Sequence, residues 1–178
     1  MPNAVVTLFH SPNTRSTGAL NLLEELGMPY QLQVLDLKAG EQRGAPYLAD
    51  LWPQAGLAPP IGDPLRGPYL RWLVFYGSSF EPAMLDRALK REPGQASTMP
   101  YGDVDTTIGT LRQQLAQGPW ILGARFTAAD VLWGTALTWM TSFGLLPDDE
   151  PFRSYVGRWN QRPSVARVRA IDARLAGQ

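Results

Sequence analysis

Cysteine is absent from the 178 residues, which removes disulfides, thiolate metal sites and dithiol redox chemistry from consideration. Histidine occurs once, as His10. A multi-histidine metal centre is therefore excluded too, and no metal is expected. Charge of one sign is also lacking: sixteen basic residues balance sixteen acidic ones, so there is no electrostatic footprint for a nucleic acid. The charge-free stretch Val131–Pro147 contains Thr135, Thr138, Thr141 and Ser142, and is too short and too polar to span a bilayer comfortably. The opening residues, MPNAVVTLFHSPN, lack the basic region and long apolar segment of a secretory signal. No internal repeat or low-complexity tract appears. A soluble, cytoplasmic protein with no nucleic-acid and no membrane partner is expected.

What is present centres on that charge-free stretch. Thr127-Ala-Ala-Asp130 immediately precedes it and reads as a capping box, with the Asp130 carboxylate reaching back to the N–H of Thr127. The carboxylate also lies at the positive end of the helix dipole. Phe126 is placed to staple onto Val131. A helix that is apolar nearly all round belongs inside a core, so Trp133, Leu137 and Met140 are expected to be deeply buried.

The rest of the chain arranges itself around this helix. Ala4–His10 is a β-branched and aromatic run that reads as a buried strand. Asn13 and Thr14 are cap candidates for a helix carrying Ala19, Leu22, Leu23 and Leu26, which Gly27 and Pro29 stop. Gln31–Leu37 alternates as a second strand, and a right-handed strand–helix–strand crossover makes the pair parallel. Gln54–Gly62 is a Pro/Gly linker. Asp63-Pro64 then opens a helix with Tyr69, Leu73, Tyr76 and Phe80 on one stripe and Trp72 beside it, which Pro82 would kink or divide. After a loop at Glu92–Pro100, Val104, Ile108, Leu111 and Leu115 mark another helix. Two more follow the central one, carrying Phe152, Tyr155, Val156 and Trp159, then Val165, Val168, Ile171 and Leu175. Arg153, Arg158, Arg162, Arg167, Arg169 and Arg174 read as a solvated face.

Gly123-x-x-Phe126-Thr127-x-Ala129-Asp130, in this order of elements, resembles the start of the central helix in the C-terminal domain of glutathione S-transferases. The opening β-α-β resembles that family's thioredoxin-like domain, particularly in bacterial members, and Arg162-Pro163-Ser164 is similar to a turn near the family's C-terminus. The resemblance implies an α/β plus all-α fold: a truncated thioredoxin-like β-α-β unit at residues 1–53, then an all-helical domain at 64–178. One part of the pattern has no counterpart. Between residues 38 and 60 there is no alternating hairpin and no Val-Pro pair for the family's cis-proline. Roughly a hairpin and most of a third helix are missing at a join near residues 44–50.

Ser11-Pro12-Asn13-Thr14-Arg15-Ser16 lies between the first strand and the first helix. There a hydroxyl at a strand end and the positive end of a helix together favour a thiolate. A free thiol, with a pKa of about 8.5, is only slightly ionised near neutrality. The family uses a Ser, Tyr or Cys at this place to hold the glutathione sulfur. The resemblance implies Ser11 as the serine-type residue, Asn13 and Ser16 as further donors, and Ser11, Pro12 and Asn13 as the glutathione contacts. The other reading of Ser11 and Asn13 is that they only cap the helix. Tyr69, Trp72, Tyr76 and Tyr101 are candidates for an apolar electrophile pocket, or else for core. The implied activity is conjugation of glutathione, as co-substrate, to a small electrophile by a homodimer. The alternative is a non-catalytic relative serving as a binding or dimerisation module.

Overall fold

The computed structural model describes residues 6–34, 53–92, 94–95 and 97–177. The expected join near residues 44–50 lies outside them. The chain forms two compact units, Met1–Ala58 with Gln161–Gln178, and Pro59–Asn160.

In the first unit, strands β1 (Val6–His10) and β2 (Tyr30–Val34) pair in parallel, with Val6 opposite Tyr30 and His10 opposite Val34. They are the sheet among the described residues. Helix α1 (Ser16–Leu26) crosses between them and buries Leu20, Leu23 and Leu26. It starts later than the caps at Asn13 and Thr14 suggest. Asn13 is left-handed, with φ 57°, and the Thr14 hydroxyl accepts the N–H of Ser16 at 3.2 Å. Gly27, at φ 60°, ends α1 in the left-handed turn that glycine adopts without steric cost.

The last helix, Pro163–Ala176, completes this unit; it is named α7 here, after the five helices of the second unit. The boundary expected at residues 53 and 64 follows chain order, whereas compactness returns α7 to α1. One of its arginines differs from expectation as well. Arg162 grips Glu25 of α1 with two bonds of 2.5 Å, Ser164 donates to the same carboxylate, and Arg167 meets Glu24 at 2.6 Å. Arg162 is therefore a half-buried clamp between helices, whereas Arg167 stays on the exposed face while pairing with Glu24. Asp172 takes the buried position on α7, while Ile171 is half-buried.

The second unit opens with α2 (Arg66–Phe75), a π-helical turn at Tyr76–Phe80 and α3 (Glu81–Ala88). Asp63 accepts the N–H of Leu65 at 2.8 Å, so it starts a turn and the helix proper follows two residues later than expected. The interruption expected at Pro82 takes the form of the π turn. Proline has no N–H to continue the i→i−4 ladder, and the wide turn, closed by the Glu81 N–H on the Tyr76 carbonyl, lies directly before it. Helix α4 (Val104–Leu115) is capped by Asp103, whose side chain accepts the Thr106 N–H at 2.6 Å.

Helix α5 (Ala128–Ser142) is the buried centre of this unit, and α6 (Phe152–Asn160) packs on it. Trp133 is fully enclosed by the rings of Trp72, Phe75, Tyr76 and Phe80 and donates its indole N–H to the Trp72 carbonyl at 3.2 Å. Leu137 is fully buried too, whereas Met140, near the helix end, is half-buried. The capping box is present, and Asp130 carries most of it. Its carboxylate accepts the Thr127 N–H at 2.8 Å, the Thr127 hydroxyl at 3.3 Å, the Ile121 N–H at 2.7 Å and the Tyr155 hydroxyl at 2.8 Å. Burial raises its pKa, and these hydrogen bonds work in the opposite direction. The ring contacts of Phe126 are with Trp120 and Trp159.

Candidate functional site

The turn from β1 into α1 brings Ser11, Asn13 and Ser16 together but gives them different tasks. Ser16, the first residue of α1, turns its hydroxyl inward. It lies 2.9 Å from His10 Nδ1 and 2.7 Å from the Thr14 hydroxyl, and it accepts the Ser11 N–H at 3.1 Å. The Thr14 hydroxyl donates to the Ser11 carbonyl at 2.8 Å. Both main-chain polar groups of Ser11 are thus held, while its half-buried side-chain hydroxyl has no hydrogen-bond partner among the described residues. Pro12 is half-buried beside it, and Asn13 is exposed with its backbone left-handed.

The start of α1 offers a thiolate less than a bare helix end would. The N–H groups of Ser16, Thr17 and Gly18 go to Thr14 Oγ1, the Thr14 carbonyl and the Arg15 carbonyl. What remains is the helix dipole and whatever side-chain donor faces the ligand. Among the three candidates, Ser11 has a hydroxyl available for that.

Sequence reasoning missed the residues behind this turn. His10 is fully buried at the end of β1, and its Nε2 lies 2.7 Å from Asp172 Oδ1 of α7. The other carboxylate oxygen accepts the Thr17 hydroxyl at 3.1 Å. A signal for Asp172 does exist in the sequence: Val165, Val168 and Asp172 fall on one helical stripe, with a carboxylate where an apolar side chain belongs. Nothing in the sequence shows that its partner lies 162 positions earlier.

The four pocket candidates lie in the second unit. Tyr69 and Trp72 are 3% and 2% exposed, and Trp72 packs edge-on against Trp133. Tyr76 and Tyr101 are half-buried. The Tyr76 ring meets Trp133 and Phe80, and the Tyr101 hydroxyl donates to Asp86 at 2.5 Å. Hydrogen bonding to the Asp86 carboxylate raises the Tyr101 pKa. A separate cavity of about 340 Å³ lies among Arg87, Asp105, Ile108, Arg112 and Gly144–Pro147. Among the described residues, no helix is long and apolar enough to cross a membrane.

Residues 101–170 match the sequence pattern of the glutathione S-transferase C-terminal domain. No curated protein matches the chain. Solved structures do. A glutathione transferase from Methylococcus capsulatus str. Bath aligns with 95% of this chain and 99% of its own, at 24% identity and a TM-score of 0.75. BphK, a bacterial GST solved as a ternary complex, aligns with 94% of this chain and 100% of its own, at 21% identity and a TM-score of 0.74. A sphingomonad glutathione S-transferase complexed with glutathione aligns over 94% and 99%, at 22% identity and a TM-score of 0.72. The fold is that of the glutathione transferases. Within that fold, residues 101–170 also carry the sequence pattern of the family's C-terminal domain.

Proposed function

We propose that this protein is a glutathione S-transferase that ionises the thiol of glutathione at the Ser11–Asn13 turn and adds it to a small electrophile. The observation carrying this reading is the Ser11 side chain, whose hydroxyl is uncommitted while both its main-chain groups are fixed. A hydroxyl donor stabilises the developing thiolate, and the α1 dipole adds to it. Holding thiolate and electrophile together supplies the rest of the rate. Pro12 and Asn13 complete the proposed glutathione contact. Relatives solved with bound glutathione support the choice of thiol. The test is conjugation of glutathione to an aryl halide, measured as rate against pH alongside glutathione affinity. A chain that binds no glutathione and conjugates nothing overturns the proposal.

The second reading is a non-catalytic binding or dimerisation protein. It draws on Leu70 and Val74, which lie one turn apart on α2 and are 42% and 65% exposed. The proposed state for either reading is a cytoplasmic homodimer. Sedimentation of the wild type and of Val74→Glu tests the dimer.

A further inference from the structure

A continuous polar chain runs through the first unit from α7 to the proposed thiolate turn: Asp172, His10, Ser16, then the main chain of Ser11. His10 is fully buried and Asp172 is 6% exposed. Polar groups buried to this degree cost stability unless paired, and apolar side chains would fill the same space more simply. Each link here is made. The pattern of protons follows from the chemistry of the groups. A carboxylate oxygen accepts, so the 2.7 Å contact with Asp172 assigns the donor N–H to Nε2 of His10. Nδ1 of the ring faces the Ser16 hydroxyl at 2.9 Å, and that hydroxyl also lies 2.7 Å from Thr14 Oγ1 and 3.2 Å from the Ser11 carbonyl, so every acceptor in its reach belongs to the turn or to His10. Its oxygen accepts the Ser11 N–H. The single proton of Ser16 is therefore directed inward and is unavailable to a ligand.

An acid–base–hydroxyl row of this kind also suggests a serine nucleophile, but the surroundings argue against hydrolysis. An acyl intermediate needs free N–H donors beside the nucleophile, and those of Ser11, Ser16, Thr17 and Gly18 are all engaged.

We propose that Asp172 and His10 are positioning residues for glutathione activation. Acting through Ser16, they hold the Ser11 main chain so that its hydroxyl faces the thiol, and they withdraw Ser16 as a competing donor. This rests on the reading of Ser11 as the thiolate donor. A helix from the far end of the chain thereby sets the geometry of the turn after the first strand.

The experiment uses the full chain with Asp172→Ala, Asp172→Asn and Ser16→Ala. The readouts are folded fraction, the pH at which bound glutathione ionises (from thiolate absorbance), and kcat and KM. Asp172→Ala is expected to raise that pH by about one unit and lower kcat about tenfold per folded molecule, with KM for the electrophile little changed. Ser16→Ala should move in the same direction. Asp172→Asn keeps an acceptor for Nε2–H and should restore most of the loss. An Asp172→Ala protein that is less stable, yet unchanged in ionisation pH and in kcat per folded molecule, overturns the proposal. Nitrogen-15 NMR of His10, the single histidine, tests the relay without turnover. The wild type should show a proton on Nε2, and an Nε2 without one overturns the relay even if Asp172→Ala fails to fold. Wild-type protein that neither binds nor ionises glutathione overturns the enzymatic reading and the positioning role with it, while the His10 spectrum still reports whether the polar chain itself exists.

Discussion

The Tyr155 hydroxyl of α6 donates to Oδ1 of Asp130 at 2.8 Å, with both side chains buried. This bond joins the start of the central helix to its neighbour. It also supplies one of four donors that offset the cost of enclosing the carboxylate. Tyr155→Phe removes the donor and leaves the carboxylate short of it. The expected loss is about 1.5–3 kcal/mol, measured by urea unfolding, with no change in glutathione affinity.

The same carboxylate gives the protein a pH signature. Burial raises its pKa in the folded state above the ordinary 3.8, so over that window the folded chain holds a proton that the unfolded chain has released. Its contribution to stability falls as pH rises from about 4 through the raised value, then levels off. Asp130→Asn should lower stability overall and flatten this slope. Unfolding midpoints collected between about pH 4 and 7 show it; parallel profiles for the two proteins would contradict it.

Tyrosine ionisation offers an independent check. The Tyr30 pKa is raised to about 12, first by desolvation and then by its hydrogen bond to Glu24 at 2.6 Å. Tyr155 is pushed well above its usual range by complete burial. Phenolate absorbance should therefore show tyrosines titrating late in the native protein, with one fewer in Tyr30→Phe. The stability that Tyr30 contributes is present below pH 10 and is lost as pH rises through about 12.

Gly134 has no room for a side chain. A Cβ there would lie 2.3 Å from Cδ2 of Trp159, a rigid ring that is itself 1% exposed. Gly134→Ala should cost about 1–3 kcal/mol through overpacking of α5 against α6. That holds even though alanine is the better helix former by roughly 1 kcal/mol. A stabilised Gly134→Ala protein, read by its thermal midpoint, would mean that α6 yields easily.

Ser11→Ala addresses the proposed chemistry directly. It should slow conjugation ten- to a hundredfold, about 1.4–2.7 kcal/mol of transition-state stabilisation, and raise the pH at which bound glutathione ionises. Glutathione affinity should change little, and stability by no more than about 1 kcal/mol. Identical rate profiles for wild type and mutant would leave Ser11 as a turn residue and make Asn13 the next to test.

Local chemistry was enough to read the elements: the capping box at Thr127–Asp130, the glycine stop at Gly27 and the strand–helix–strand opening all depend on neighbours within a few residues. The burial of Asp130 follows from its place at the head of a charge-free helix. Position in the chain also pointed to Ser11, Asn13 and Ser16 as a group. Their separate roles were not legible, because these depend on which hydroxyl a distant side chain engages. His10 engages Ser16, and it does so from a ring held by Asp172. The arginines of α7 are a similar case. Their spacing reads as a solvated face, and it does not show that Arg162 and Arg167 also pair with Glu25 and Glu24 of α1. Periodicity records which residues leave water together, whereas pairing across 137 or 162 positions is decided only when the helices pack.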